Sequence, residues 1–416
     1  MTLPDKRTGK NSQYTMHDVA SSAFSVFFLQ SPSFLAHQRD MQRREGRNNA
    51  RSLFGVERIP SDPQIRNLLN AVSPDHVREP FWAILSLLSQ AGFLSEYEYD
   101  GSLLLSVDGT GYFGSHEIHC PSCTVTVRDD VTSYSHTAVL PVLVRPSKAD
   151  VIALEPEFIT PQDGADKQDC ELNATKRWVT RNAPYFAGRH VTLLADDLYC
   201  HQPFCQLLLD HDVDFIMTCK PDSHQALYEE VAALDTIGAV EETTDRVWTG
   251  RCHERRTYRY VSQVPLRADA KTLMVNWCEI TIVSETSGEL LYHNAFATNR
   301  TLTDQTVRPV VAAGRARWKI ENENNNVLKN HGYHLEHNYG HGDQYLSQVL
   351  LMLILLAFLC HTVLQLADSM YQRVRAELAT RKTFFDDMRA LTRYLFFTSW
   401  EHLLDFMLTH LERAST

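Results

Sequence analysis

Hydrophobic and polar positions change their period twice along the 416-residue chain. From residue 11 to 95 the apolar residues recur at helical spacing. In "IPSDPQIRNLLNAV", Ser61 and Asp62 are capping candidates, Pro63 falls in a first turn, and Ile65, Leu68 and Leu69 share one face. "PFWAILSLLSQAGFL" continues that pattern. At Leu103 the period shortens. "LLLSVDGT" is an apolar run stopped by a turn signal, which predicts a buried strand. "CTVTVRDDVTSYSHTAVLPVLV" alternates around Asp-Asp and predicts a hairpin. The helix "DKQDCELNATKRWVTRNA", strand "HVTLLADD", helix "HQPFCQLLLDHDV", strand "DFIMTC" and helix "PDSHQALYEEVAAL" follow. Residues 240–297 are β-rich, and from Thr303 the helical period returns. This order predicts an α/β fold, a mixed sheet covered by helices, with the β-rich segment inserted before a late helix.

Composition adds limits. With 44% hydrophobic and 22% charged residues the chain is an ordinary globular protein, long enough for two or three domains. The net charge of −11 does not announce a nucleic-acid binder, yet between Arg39 and Arg66 seven arginines face four acids. A basic N-terminal segment on an acidic body can be a DNA footprint or a solvated helix face. Nine cysteines without a secretory signal predict a reduced, cytoplasmic protein. The run Val349–Cys360 is shorter than the ~20 residues of a membrane span, so a core helix and no membrane are expected.

The chemistry concentrates where two predicted strands end in acids, at Asp108 in "SVDGT" and at Asp196 and Asp197 in "LLADDLY". One Asp before Gly at a strand end is an ordinary turn residue. Two acidic strand ends with a third acid on a later helix make a hard-cation site, because Mg²⁺ takes few carboxylates and keeps positions open for water and phosphate. Two such ions activate a nucleophile and stabilise a leaving oxygen in phosphodiester chemistry.

"VDGT", "LLADDLY" and then "RWKIE" after a β-rich insertion resemble the DDE transposases of bacterial insertion sequences, in the branch with a Tyr-x2-Arg-x3-Glu-x6-Lys third-acid signature. The likeness covers residues from about 100 to 340. "QDGADKQDCELNATKR", "FIMTCKPDSH" and "LKNHGYHLEHNYGHG" also look typical of one such group. The resemblance implies an RNase H-like core, two Mg²⁺ ions (Mn²⁺ substituting), cleavage at transposon ends and strand transfer into target DNA. Asp108 matches the first acid. Tyr199, three residues on, favours Asp196 as the second, with Asp197 the fallback. Arg317 and Glu321 match the signature's middle. Gly314 stands where the signature has Tyr, and Lys329 comes one residue late.

Five regions result: a helical DNA-binding region (1–95), the core's first part (96–235), the β-rich insertion (236–300), the core's last part with the third-acid helix (301–345) and a helical C-terminal region (346–416). Arg43, Arg44 and Arg47 would contact the end repeats, within a homodimer that synapses two ends of DNA near the nucleoid. Arg317, Lys220 and Lys329 are further phosphate-contact candidates. The competing readings are a catalytically inactive or domesticated DNA-binding derivative and a metal-dependent nuclease without strand transfer.

Helix geometry separates the two glutamates of "RWKIENENNN". At about 100° per residue, Ala313, Ala316, Ile320 and Val327 share a core face. Arg317 and Glu321 pair on one flank and Glu323 lies on the other. Periodicity does not choose between the acids; the resemblance favours Glu321.

"HEIHCPSC" offers His116, His119, Cys120 and Cys123, but no second ligand pair stands at usual zinc spacing. His136, Cys170, Cys200 or Cys205 would have to be recruited through the fold, so structural zinc is not expected. His331, His334, His337 and His341 are read as loop contacts to DNA rather than metal ligands, with Tyr333 and Tyr339 available for base stacking.

Overall fold

The computed structural model describes residues 3–8, 13–161 and 169–414, and the fold is mixed α/β. Five helices open it: α1 (Met16–Phe28), α2 (Phe34–Met41), α3 (Arg44–Phe54), α4 (Asp62–Leu69) and α5 (Glu79–Gln90). Thr15 and Asp18 form a reciprocal capping box at the start of α1. As the apolar spacing predicts, α4 carries Pro63 in its first turn and buries Ile65, Leu68 and Leu69.

The strands of the first half are β1 (Glu98–Tyr99), β2 (Ser102–Ser106), β3 (Gly109–Ser115), β4 (Thr124–Arg128), β5 (Val131–Val139), β6 (Val142–Val144), β7 (Ile152–Ala153) and β8 (Glu157–Ile159). Helix α6 (Glu171–Asn182) leads to β9 (Val191–Ala195), α7 (Gln202–Asp210) to β10 (Val213–Thr218), and α8 (Gln225–Thr236) follows. The predicted start of α6 at residues 166–168 lies outside the described residues. The predicted hairpin is β4–β5, and both turn residues, Asp129 and Asp130, have positive φ (49° and 62°). That is the geometry a two-residue turn between twisted strands requires.

Strand β2 is buried along its whole length. It pairs in parallel with β9, and β9 in parallel with β10, while β6 and then β7 add antiparallel on the other side. Beyond β2 and β6 the ribbon continues as β3 and β5, which with β4 and β8 form a second sheet. The β-rich segment comprises β11 (Glu241–Trp248), β12 (His253–Pro265), β13 (Met274–Ser284) and β14 (Leu290–Thr298). It extends the main sheet, because β14 pairs antiparallel with β10.

Helix α9 (Val307–Ala316) packs on that sheet. A Cβ on Gly314 would stand 2.7 Å from the Phe296 ring and 3.0 Å from the Ile216 side chain. The contact leaves no room for a tyrosine at this position. A π-helical segment, Ile320–Asn325, and α10 (Asn326–Asn330) come next. The single continuous helix face expected over residues 313–327 is thus broken. The core side passes from Ile320 to Asn324, Asn325 and Leu328, while Val327 is only half-buried. A π turn inserts one residue. Lys329, eight positions after Glu321, therefore comes round to where seven would bring it in a regular α-helix.

The C-terminal helices are α11 (Leu346–Ala367), α12 (Ser369–Glu377), α13 (Arg381–Tyr394) and α14 (Trp400–Ala414). Helix α11 is long and apolar enough to cross a membrane, but 72% of its most apolar stretch is buried, packed on α1, α5 and β7. Asn49 of α3 donates to the carbonyls of Thr392 and Leu395 and accepts from Phe397 N–H. The N- and C-terminal helical regions thereby join into one body.

Candidate metal-dependent site

Asp108 follows β2 and Asp196 follows β9. The two strands are aligned with Leu103 opposite Val191 and Ser106 opposite Leu194. Carried two residues further, that register sets Asp108 beside Asp196. Both carboxylates sit outside the carboxyl ends of adjacent parallel strands, where α/β sheets build their sites. Asp196 keeps one oxygen on Leu198 N–H, 3.0 Å away. Asp197 is committed elsewhere: it accepts from Lys220 N–H at 2.7 Å, from the Ser223 hydroxyl, and faces His224 Nε2 at 3.3 Å. It ties the β10–α8 loop to the end of β9.

Glu321 lies on the π segment. Its carboxylate pairs with Arg317 Nη2 at 2.9 Å and accepts from Trp318 Nε1 at 2.7 Å. Arg317 is itself held close to β2, its carbonyl accepting from Ser106 Oγ at 3.2 Å. Glu323 lines a cavity of about 370 Å³ with Asp150, Arg375 and Arg381 and also borders the groove beside Arg317 and Trp318.

The site contains a carboxylate that pattern reading passed over. Glu171, in the first turn of α6, accepts from Gly109 N–H at 3.0 Å and from the Tyr199 hydroxyl at 2.6 Å. Tyr199 is fully buried and also meets Thr175 Oγ1 at 3.1 Å. The aromatic that marks the second acid in the sequence therefore orients a further one. Helix α6 is anchored by ion pairs from Arg177 and Arg181 to the buried Glu155 and Glu157. The close approach to Gly109 depends on its missing side chain, since a Cβ there would stand 2.3 Å from Glu171 Oε2. Gly109→Ala should displace Glu171 and destabilise the fold by about 1–3 kcal/mol through overpacking. Urea denaturation measures this, and an unchanged midpoint would mean that Glu171 is free to swing away.

These neighbours act on Asp108. Burial, then the negative charges of Glu171 and Glu321, with a smaller push from Asp196, raise its carboxyl to about 7 against the pull of Arg317. Asn325 Nδ2 donates to Asp108 Oδ2 at 3.2 Å, and Asn324 donates to Asn325 Oδ1 at 3.0 Å. Two of the three consecutive asparagines thus extend the polar network under the acids. A partly buried carboxyl whose proton affinity is raised by neighbouring carboxylates is a setting suited to a cation.

No protein-family model matches this chain, and no curated protein is significantly similar to it. The functional reading rests on the residues themselves.

The cationic candidates divide. Lys220 is exposed just past β10, at the same sheet edge as the acids. Lys329 forms an ion pair with Glu336 at 2.9 Å. Arg43, Arg44 and Arg47 are exposed at the start of α3, with Arg43 over the Tyr394 ring at 5.8 Å and Arg44 at 3.7 Å from Glu45. Trp318, which pattern reading did not single out, is 60% exposed beside Glu321. It lines a groove of about 720 Å³ with Arg315, Arg317 and Lys319.

Two expectations are corrected. Tyr333 and Tyr339 are buried rather than open to bases, bonded to His361 Nδ1 at 2.6 Å and to the Ser31 carbonyl at 3.2 Å. A four-ligand Cys/His set, not expected from local spacing, also exists. Cys120, Cys123, His136 and His341 converge in a buried cluster. The fold brings the last two together across 205 positions of sequence. Cys200 and Cys205 are not part of this cluster; Cys200 sits with Cys219 and His224 instead.

Proposed function

We propose that this protein is a DDE-type DNA transposase, in which Asp108, Asp196 and Glu321 hold two Mg²⁺ ions. The observation that carries the reading is the convergence of the three acids. Two come from aligned ends of parallel strands, and the third comes from a helix more than a hundred residues later, close enough to raise the proton affinity of the first. An RNase H-like core is supported by the strand order. A long antiparallel ribbon (β2–β3, β5–β6, β7–β8) is followed on the other side of β2 by two parallel strands, β9 and β10, each reached through a helix.

The donor set fits a hard divalent ion, being all carboxylate oxygen with the amide of Asn325 adjoining. Bound there, Mg²⁺ supplies activation of the attacking oxygen and charge stabilisation at the leaving oxygen. The chain's own residues do the rest. Arg317 and Trp318 hold the Glu321 carboxylate. Glu171, fixed by Tyr199 and Gly109, keeps the wall behind Asp108 negative. Lys220, Arg317 and Lys329 provide positive charge for phosphate, and Arg43, Arg44 and Arg47 provide it on the helical body, acting locally despite the acidic total. Trp318 offers a stacking face for an unpaired base. A homodimer that pairs two transposon ends belongs to the same proposal.

The test is nicking of DNA carrying the element's terminal repeats, with Mg²⁺ or Mn²⁺, by wild type and by Asp108→Ala. Wild type should nick and join product to a target plasmid, while Asp108→Ala should lose at least about 10³-fold in rate. Equal activity in both proteins defeats the reading. Cleavage without joining shows a nuclease on the same fold.

A further inference from the structure

We infer that Cys120, Cys123, His136 and His341 form a structural zinc site that fastens the segment following the third acid to the ribbon that follows the first. The four side chains are buried, at 9%, 3%, 1% and 6% exposure. The two sulfurs are 3.9 Å apart, His136 Nε2 lies 3.5 Å from each, and His341 Nε2 lies 3.5 Å from Cys123 Sγ and 3.0 Å from His136 Nε2. Zinc in tetrahedral coordination, with Zn–S about 2.3 Å and Zn–N about 2.0–2.1 Å, needs S···S near 3.8 Å, S···N near 3.6 Å and N···N near 3.3 Å. These five separations match to within about 0.3 Å, and the sixth, between Cys120 Sγ and the His341 ring nitrogen, is within 4.8 Å.

The donor set selects the metal, and the backbone beside His341 selects the tautomer of that ring. Two thiolates with two imidazoles is a soft, closed donor set that suits zinc and leaves no position for water, so the ion would be structural rather than catalytic. His341 Nδ1 bonds to the Gly342 carbonyl at 2.6 Å, which leaves its Nε2 lone pair directed into the cluster. Cys123 N–H bonds to the Cys120 carbonyl at 3.1 Å, closing the tight turn that presents both sulfurs to one side. His116 and His119 face solvent, with Nδ1 atoms bonded to the carbonyls of Thr132 and Glu117, and take no part.

The location gives the site its consequence. His136 is paired across the sheet with Phe113, and five residues before Phe113 stands Asp108. His341 lies twenty residues beyond Glu321, in the loop that enters α11. Phe113 packs on the His341 ring with centroids 4.3 Å apart. An ion here would hold the two chain segments that carry the first and third acids at a fixed separation.

Metal analysis of the full-length chain, purified without chelator, tests the inference. About one zinc per chain is expected, falling below about a tenth in Cys123→Ser and in His341→Ala. Cobalt exchanged into the wild type should give the visible bands of a tetrahedral ion and a near-ultraviolet thiolate charge-transfer band, both lost in the two variants. Two thiols should become reactive only on zinc removal. Absent zinc together with absent cobalt bands in the wild type overturns the inference, whether or not the variants fold. Glu321→Gln should keep its full zinc content. A failure of the phosphodiester reading is therefore separable from a failure of this one.

Discussion

Glu321→Gln should abolish metal-dependent nicking, by about three orders of magnitude or more, while Glu323→Gln stays within a few-fold of wild type. The two acids are two residues apart in sequence, yet they occupy different environments. Glu321 is gripped by Arg317 and the Trp318 indole, and its charge reaches Asp108. Glu323 makes neither of these bonds; it lines one cavity with Arg375 and Arg381 and also borders the groove beside Arg317 and Trp318. Gln keeps the shape of Glu321 and its capacity to accept from Trp318 and gives up a partly exposed ion pair with Arg317, so folding should persist while the charge available to a cation is lost. A rate assay on terminal-repeat DNA, with circular dichroism confirming the fold, decides the matter. If Glu323→Gln is the dead variant and Glu321→Gln the active one, the third acid has been misassigned.

Asp108→Asn should stabilise the protein at pH 8 when Mg²⁺ and Mn²⁺ are absent. The unfolded chain ionises this carboxyl near 3.8, and the folded protein near 7. Between those values the folded state holds a proton that the unfolded state has released, so stability falls as pH rises through the window. The penalty is absent below about pH 4 and complete above about pH 7. Roughly 2–4 kcal/mol is at stake, the lower end reflecting the partial exposure of Asp108. The Asn variant escapes the penalty. Added Mg²⁺ should raise the melting temperature of wild type and leave Asp108→Asn nearly unchanged, since the variant lacks a central ligand. The buffer should be freed of Mg²⁺ and Mn²⁺ by resin rather than by chelator, which leaves the Cys120–His341 cluster undisturbed. Equal melting temperatures for the two proteins across pH 5–8 would mean that the acids are too well hydrated to press on one another.

Much of the secondary structure was legible because its signals are local. "LLLS" had to be a buried strand, and "RDDV" a tight hairpin turn, since both Asp residues tolerate positive φ. The strand-end acids were legible for the same reason. Local pattern did not reveal the π turn at Ile320–Asn325, which shifts the buried face by one residue and aims Asn325 at Asp108. Nor did it single out Glu171, whose significance comes only from contact with Gly109 and Tyr199.

The sequence by itself determined the strands, the turns and the acids that terminate them, because residue period and turn chemistry act over a few positions. Tertiary structure decided the rest. The shared register of β2 and β9 puts Asp196 beside Asp108, and the β10–α8 loop occupies Asp197. Packing of α9 against Phe296 and Ile216 leaves no room for a side chain at Gly314. Folding alone delivers His341 to Cys123 across 218 positions. Such groupings depend on contacts between distant segments, and no periodicity within either segment encodes them.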